Sequence, residues 1–202
     1  MRLYLIRHAV TAETGVTLSG RQSGVPLSSA GLAMAERAAV ELGDLPVRAL
    51  YTSPILRCRQ TARPLGARWD VAPTIDRGLI EANYGTWTGR SLKSLYRLKA
   101  WQRLMESASR FRFPQGETLV EVQRRAVATV EAMADRHGKD TVAAVSHADV
   151  IRVILAHYLG MPLDLVHRLS VGPASVSIVD LYDSGSVAVP TVNHPITSGE
   201  QH

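Results

Sequence analysis

Two histidines in this chain stand where an imidazole can do chemistry. His8 ends the run Leu3-Tyr-Leu-Ile-Arg-His8, and His147 ends Val142-Ala-Ala-Val-Ser-His147. Short apolar runs of this kind read as buried strands. In a parallel sheet ligands bind beyond the carboxyl ends of the strands, so both imidazoles are expected to project into one crevice. Arg7 adjoins His8. Arg57 falls in the first turn of a helix that Ser53 and Pro54 are expected to open as N-cap and first position, so a second guanidinium reaches the same crevice. Guanidinium forks match phosphate oxygens. A neutral imidazole flanked by such cations stays deprotonated and can attack phosphorus, while the cations stabilise the equatorial oxygens as charge redistributes. Such a pocket takes the place of magnesium, and neither a metal nor another cofactor is expected.

Breaking a phosphate ester also requires a proton for the departing oxygen. Glu81 is the candidate donor, because the aromatic and glycine-rich stretch Leu79-Ile-Glu-Ala-Asn-Tyr-Gly-Thr-Trp-Thr-Gly89 can hold a carboxyl beside the crevice and away from bulk water. A partly buried carboxyl with a raised pKa suits that task. His137, His157, His167, His194 and His202 are set aside, since they fall on helices or in the tail with no carboxylate or cysteine at metal-ligand spacing.

The elements that must position these groups alternate. Strands are expected at Leu3–Ile6, Arg48–Tyr51, Thr141–Val145, Ser175–Tyr182 and Val187–Val189, and helices at Ser28–Leu42, from Ser53 to about Gly66, at Thr118–His137 and at Asp149–Leu159. This pattern predicts an α/β fold, a three-layer αβα sandwich whose central sheet is mostly parallel, with helices on both faces and one antiparallel edge strand from the tail. Residues 1–190 read as a single domain and residues 191–202 as a polar tail without periodicity, from which an edge strand could pair with another subunit in a homodimer.

Bulk properties narrow the field. The 202 residues are 46% hydrophobic and 20% charged, ordinary for a globular domain with one substantial core. No apolar run approaches the roughly 20 residues of a membrane span, and no signal peptide or anchor is read. The one cysteine, Cys58, cannot form an internal disulfide, which favours the cytoplasm. A net charge of +5 raises nucleic acid or an anionic substrate as partners. The densest basic patch runs from Arg90 to Arg112 and is interrupted by Leu92, Leu95, Leu98, Trp101 and Leu104 at helical spacing, the pattern of a wet helix face. Nucleic acid is therefore not expected, nor a membrane surface, and a small phosphorylated substrate is.

Five segments in order resemble the histidine phosphatases, the family that includes the cofactor-dependent phosphoglycerate mutases. Arg7-His8-Ala9-Val10-Thr11 is similar to the family's Arg-His-Gly-x-Thr/Ser, and Ser53-Pro-Ile-Leu-Arg-Cys-Arg-Gln-Thr-Ala62 to its Ser-x-x-x-Arg-x-x-x-Thr-Ala. Glu81-Ala-Asn-Tyr-Gly-Thr-Trp-Thr-Gly89 resembles the loop with the family's proton donor. Pro114-Gln-Gly-Glu-Thr118 resembles its Pro-x-Gly-Glu-Ser turn, and Val145-Ser-His-Ala-Asp-Val-Ile-Arg152 its Val-Ser-His-Gly-x-x-Ile-Arg. The resemblance spans nearly the whole chain. It implies that His8 is the nucleophile that becomes phosphohistidine, that Arg7, Arg57 and His147 bind the phosphoryl group, and that Glu81 is first acid and then base. Ser146 and Ala148 then frame His147 through backbone geometry.

The chain also departs from the pattern. Ala9 and Ala148 stand where glycine is usual, and Thr14 stands where many members have a phosphate-contacting asparagine. Leu18-Ser-Gly-Arg-Gln-Ser-Gly-Val-Pro-Leu27 holds two Ser-Gly pairs, and Gly20 with Arg21 is taken as the phosphate turn. At 202 residues the chain resembles the compact phosphatase branch, so hydrolysis of a small phosphomonoester is expected, of the sugar phosphate, phosphoglycerate or α-ribazole phosphate type, with a phosphomutase as alternative. A phosphoprotein phosphatase, a phosphate-binding module without turnover, and a metalloenzyme built on His8 and His147 are the remaining readings. The crevice is expected to be lined mainly by the loop after Glu81, the helix around Trp101 and Phe111–Phe113, and the Val171–Ser175 turn.

Overall fold

The side chains of the first strand, β1 (Arg2–Arg7), alternate between two apolar layers, as the period of a strand requires. Leu3 and Leu5 join one core and Tyr4 and Ile6 the other. The computed structural model describes residues 1–196 and builds on this strand a six-stranded sheet with β2 (Val47–Thr52), β3 (Thr74–Ile75), β4 (Thr141–Ser146), β5 (Val176–Leu181) and β6 (Val187–His194). Its order is β3-β2-β4-β1-β5-β6. The first four strands of that order run parallel, and β5 and β6 close one edge as an antiparallel pair.

Helices α1 (Ser29–Glu41) and α2 (Leu56–Trp69) cover one face and pack on each other. Their Ala38, Ala39, Cys58, Ala62 and Leu65 meet Tyr4, Ile6, Leu50, Ala143 and Val145 of the sheet. Two short helices follow, α3 (Leu92–Leu95) and α4 (Lys99–Glu106), and then the long α5 (Leu119–His137) and α6 (Ala148–Tyr158). On the second face Val122, Ala126, Val130 and Met133 of α5, with Ile151, Ile154 and Leu155 of α6, meet Leu3, Leu5, Tyr51, Val142 and Ala144. Burial on both faces is why β1 and β4 read as continuous apolar runs.

Local signals set the helix ends. Ser28 accepts from the Gly31 N–H at 3.1 Å to cap α1. Thr118 and Glu121 form a reciprocal capping box at the start of α5, and Gly138, with φ of +52°, follows its end. The start of α2 differs from expectation. Ser53 N–H donates to Val145 O at 3.0 Å, which keeps Ser53 extended along β4, so Ile55 rather than Ser53 is the N-cap and the helix begins at Leu56. The basic stretch is likewise not one helix. It breaks at Tyr96–Leu98 into α3 and α4, although Leu92, Leu95, Leu98, Trp101 and Leu104 all pack on the core as their spacing required. The tail expected from Thr191 begins later, because β6 continues to His194. Residues 197–202, including His202, lie outside the described residues.

One close approach ties the helical layer to the segment after His8. A Cβ added at Gly31 of α1 would sit 2.0 Å from Val10 O, an oxygen that accepts from Ser28 N at 3.1 Å. Alanine normally stabilises a helix interior by about 0.5–1 kcal/mol relative to glycine. Here the overlap is with backbone, so Gly31→Ala is expected to destabilise by roughly 1–3 kcal/mol. A denaturant midpoint at or above that of the wild type would show that the contact does not hold α1 against Val10.

Candidate active site

The β1–β4 ladder places the two histidines. Arg7 is opposite Ser146, and the His8 N–H donates to Ser146 O at 2.9 Å, so His8 and His147 leave adjacent parallel strands at the same level. Their rings lie edge to face with centroids 5.3 Å apart. Ser146 itself is held by its hydroxyl, which donates to Leu79 O at 2.8 Å.

Hydrogen bonds fix both tautomers. His8 Nδ1 lies 2.8 Å from Ala9 O, and a carbonyl only accepts, so Nδ1 carries the proton and Nε2 presents its lone pair. Arg57 Nε donates to that lone pair at 3.1 Å. Burial, then the charges of Arg57 and Arg7, push the His8 pKa down to about 3. Arg57 Nη2 donates to His147 Nδ1 at 3.2 Å, which leaves His147 Nε2–H to donate to Ser53 Oγ at 2.7 Å. Burial and the Arg57 charge hold His147 neutral as well. His147 is fully buried behind Arg57 rather than on the cavity wall.

The two arginines are anchored yet incompletely used. Arg57 is 2% exposed, and its Nη2 also donates to Gly20 O at 2.7 Å. Gly20 has φ of +50°, and a Cβ there would lie 2.7 Å from the Tyr84 ring, so glycine alone turns this carbonyl toward Arg57. Arg7 Nη1 donates to Val171 O at 2.6 Å. Arg57 Nη1 and Arg7 Nε are buried without a hydrogen-bond partner among the described residues. Buried donors are rarely left so, because each forfeits its hydration.

Glu81 is 6% exposed beside these groups. Its Oε1 accepts from Ala82 N at 2.9 Å, and its Oε2 lies 4.0 Å from His147 Nδ1. Burial, reinforced by the negative charge of Asp149, pushes its pKa up to about 7 against the pull of Arg57 and Arg7. Its carbonyl is clamped from two sides: Arg21 Nε donates to it at 2.8 Å and Arg125 Nη2 at 3.2 Å. Both arginines also pair with Glu117, Arg21 at 2.7 Å and Arg125 at 3.1 Å, and Glu117 accepts from Asn83 N at 2.9 Å.

Arg7, His8, Thr14, Gly20, Arg57 and Glu81 thus converge on one cavity of about 450 Å³. Arg21 does not join them. Its guanidinium is spent on the Glu81 carbonyl and Glu117, so it faces the loop and not the crevice. Thr14 lines the wall, but its hydroxyl is occupied by Thr11, whose N–H it accepts at 2.9 Å. The Val171–Ser175 turn, expected to line the crevice, instead holds Arg7, through Val171 O and through Ser175 O, which accepts the Arg7 N–H at 3.1 Å. Three wall residues escaped the sequence reading. Asp149 and Arg152 pair at 2.9 Å in the first turns of α6, the Tyr84 hydroxyl donates to Asp149 at 2.7 Å, and His167, set aside above, lines the cavity with Nε2 buried and unpartnered. The i, i+3 spacing after His147 was the available signal for the first two. Among the described residues no group of three or more His, Cys, Asp or Glu is arranged to hold a metal ion.

Comparison with known proteins agrees with this geometry. The model of the histidine phosphatase superfamily (branch 1) matches residues 3–194. The chain is 26% identical over 186 residues to a probable phosphoglycerate mutase GpmB of Yersinia pestis (strain Pestoides F), covering 91% of this chain and 86% of that protein. Bacillus stearothermophilus YhfR superposes with a TM-score of 0.86 at 26% identity, covering 97% of this chain and 99% of that one. A mycobacterial glucosyl-3-phosphoglycerate phosphatase solved with VO3 superposes with a TM-score of 0.84 at 26% identity, covering 96% and 98%. A family model that spans nearly the whole chain, over a site in which the guanidiniums of Arg57 and Arg7 stand beside two neutral imidazoles, leaves one conclusion: this chain belongs to the histidine phosphatase superfamily, branch 1.

Proposed function

We propose that the protein is a phosphomonoester hydrolase that works through phosphohistidine at His8 on a small phosphorylated metabolite. The observation that carries this reading is the pair of buried, unpartnered donors, Arg57 Nη1 and Arg7 Nε, beside an imidazole whose lone pair is fixed on Nε2. A phosphoryl dianion satisfies both donors and replaces the water they lost. His8 Nε2 then forms a bond to phosphorus as the ester P–O bond breaks, and the Glu81 carboxyl proton goes to the departing oxygen. The ring keeps its Nδ1 proton on Ala9 O, so the positive charge that develops is shared with a carbonyl dipole. In the second half, water attacks phosphorus, the Glu81 carboxylate takes its proton, and His8 Nε2 leaves with its lone pair. His147 orients Arg57.

Relatives named both as phosphatases and as mutases support the chemistry, and in the mutase reading an alcohol replaces water in the second half. Residues 1–190 act here as one domain, extended by the end of β6. A cytoplasmic site of action fits the free, buried Cys58, and no described helix is long and apolar enough to cross a membrane. β6 is the edge along which a homodimer would pair, with Pro190 interrupting its row of donors.

His8→Ala is expected to abolish phosphate release from every ester, with excess chelator present throughout, and to remove acid-labile phosphoenzyme from rapid-quench samples. Persistent turnover or labelling in that variant would move the nucleophile elsewhere. Glu81 must be protonated for the first half, so kcat/KM for alkyl esters falls as pH rises through about 7. Glu81→Gln removes that alkaline limb and slows alkyl esters by about 100-fold or more, while esters of acidic phenols lose far less. Equal losses for both leaving groups would remove Glu81 from the acid role. Glu117→Gln loosens the clamp without touching the cavity. As a positioning residue its loss slows alkyl esters about 10-fold more than aryl esters, a split that general destabilisation does not produce.

A further inference from the structure

Beyond the phosphoryl end, the cavity changes character. Its outer wall is built from Leu18, Leu92, Tyr96, Trp101, Leu104 and Met105, most of them carried by α3 and α4. Trp101 is braced rather than loose: it stacks on Trp87 with centroids 5.9 Å apart at 24°, and Tyr96 meets it edge to face at 4.9 Å. A fixed aromatic wall with aliphatic neighbours receives apolar surface at little cost in ordering.

The charges at this end cancel. Arg152 donates to Asp149 at 2.9 Å and to Leu169 O at 2.9 Å, while the other Asp149 oxygen accepts from Tyr84 at 2.7 Å. Arg152 and the Tyr84 bond hold Asp149 ionised although burial opposes it, so this patch presents one carboxylate with its own cation. Lys93, Arg97, Lys99 and Arg103, on the same stretch as the apolar wall, are exposed and take no part in it. A second anionic group on the substrate would therefore meet an arginine whose Nε and Nη1 are engaged and whose charge is matched by the carboxylate beside it. His167, held neutral by burial, offers a single ring nitrogen, Nε2, enough for one hydroxyl.

From this division we infer that the alcohol half of the substrate is uncharged and largely apolar, of arylalkyl or branched alkyl size, and that esters with a second anion, phosphoglycerates among them, are disfavoured. The inference rests on the hydrolase reading above. It narrows the substrate classes that reading leaves open, and it runs against a phosphoglycerate mutase, whose intermediates carry a carboxylate and two phosphates.

The test compares kcat/KM of the full chain, with chelator, on 2-phenylethyl phosphate, glycerol 1-phosphate and 3-phosphoglycerate, whose leaving groups are all alcohols. Wild type is expected to prefer the phenylethyl ester by at least about 30-fold over both others, the effect of burying one ring's apolar surface. Trp101→Ala should reduce that preference at least about tenfold, through KM. Met105→Asn, which leaves the Trp87–Trp101 stack intact, should reduce it in the same direction if Trp101→Ala does not fold. Equal or better turnover of 3-phosphoglycerate, or the same loss on all three esters in both variants, overturns the inference. p-Nitrophenyl phosphate separates the two levels. If wild type hydrolyses it without any preference among the alkyl esters, the substrate class alone fails; if wild type does not hydrolyse it, the hydrolase reading fails and takes this inference with it.

Discussion

The structure turns on two guanidinium groups, Arg57 buried and Arg7 half-buried, whose hydrogen-bond partners are all neutral. Arg57 is surrounded by the two imidazoles and the Gly20 carbonyl, and Arg7 reaches only the Val171 carbonyl. A buried charge without a counter-ion is costly, and removing it from water is not repaid by dipoles alone. The fold holds it there because each guanidinium is fixed by a carbonyl from a different part of the chain, one from the loop after β1 and one from the turn before β5. Depressed pKa values for both histidines are the same fact seen from the other side. A ring between two cations and out of water cannot also be charged. One arrangement therefore prepares both the anion site and the nucleophile, and as a dianion enters the His8 lone pair exchanges the Arg57 Nε–H for phosphorus.

Parallel strand register follows from that requirement. Arg7 and Ser146 are paired across β1 and β4, which brings His8 and His147 out at one level, and Ser53 stays extended against Val145 so that its hydroxyl meets His147. An N-cap at Ser53 would have spent this hydroxyl on the helix. With α2 starting later, the hydroxyl accepts only a long bond from Ile55 N at 3.3 Å and meets His147 at 2.7 Å. The Glu81 loop solves a different problem, since a loop carboxyl is mobile unless its backbone is held. Two arginines grip the Glu81 carbonyl, and one carboxylate, Glu117, grips both arginines. Two guanidiniums on one carboxylate leave the clamp with a net positive charge, and the Arg125 charge adds to the field that keeps His147 neutral.

Much of this was legible from residue order. Strands that are apolar on both faces announce themselves without a partner, so the sheet, the covering helices and the placement of Arg7, His8 and His147 at strand ends followed from Leu3–Ile6 and Val142–Val145. What stayed hidden depends on where a long side chain is spent. Arg21 beside Gly20 reads as a phosphate ligand, yet its partners lie 60 and 96 positions away, at Glu81 and Glu117. His167 was dismissed for want of a partner in sequence, and its position on the cavity wall arises from the packing of a 3₁₀ turn, Leu163–Arg168, against α6. The helical period of Leu92 to Leu104 marked an apolar face correctly but not the break at Tyr96–Leu98 that bends this face around the cavity.

Two carboxyl groups close to one pocket now have distinct behaviour for a physical reason. Asp149 has Arg152 and the Tyr84 hydroxyl against it, which outweigh its burial, and stays ionised. Glu81 has one backbone N–H and stands beside that fixed negative charge, so burial wins and it holds its proton near neutral pH. The ionised group thus helps keep the other one protonated, the division of labour expected wherever neighbouring environments push two titrating groups apart. Because Asp149 pairs with the arginine nearest the leaving-group side, the feature that readies Glu81 as a proton donor also offsets a cation there. Acid catalysis and substrate selection are in this way two consequences of one ion pair.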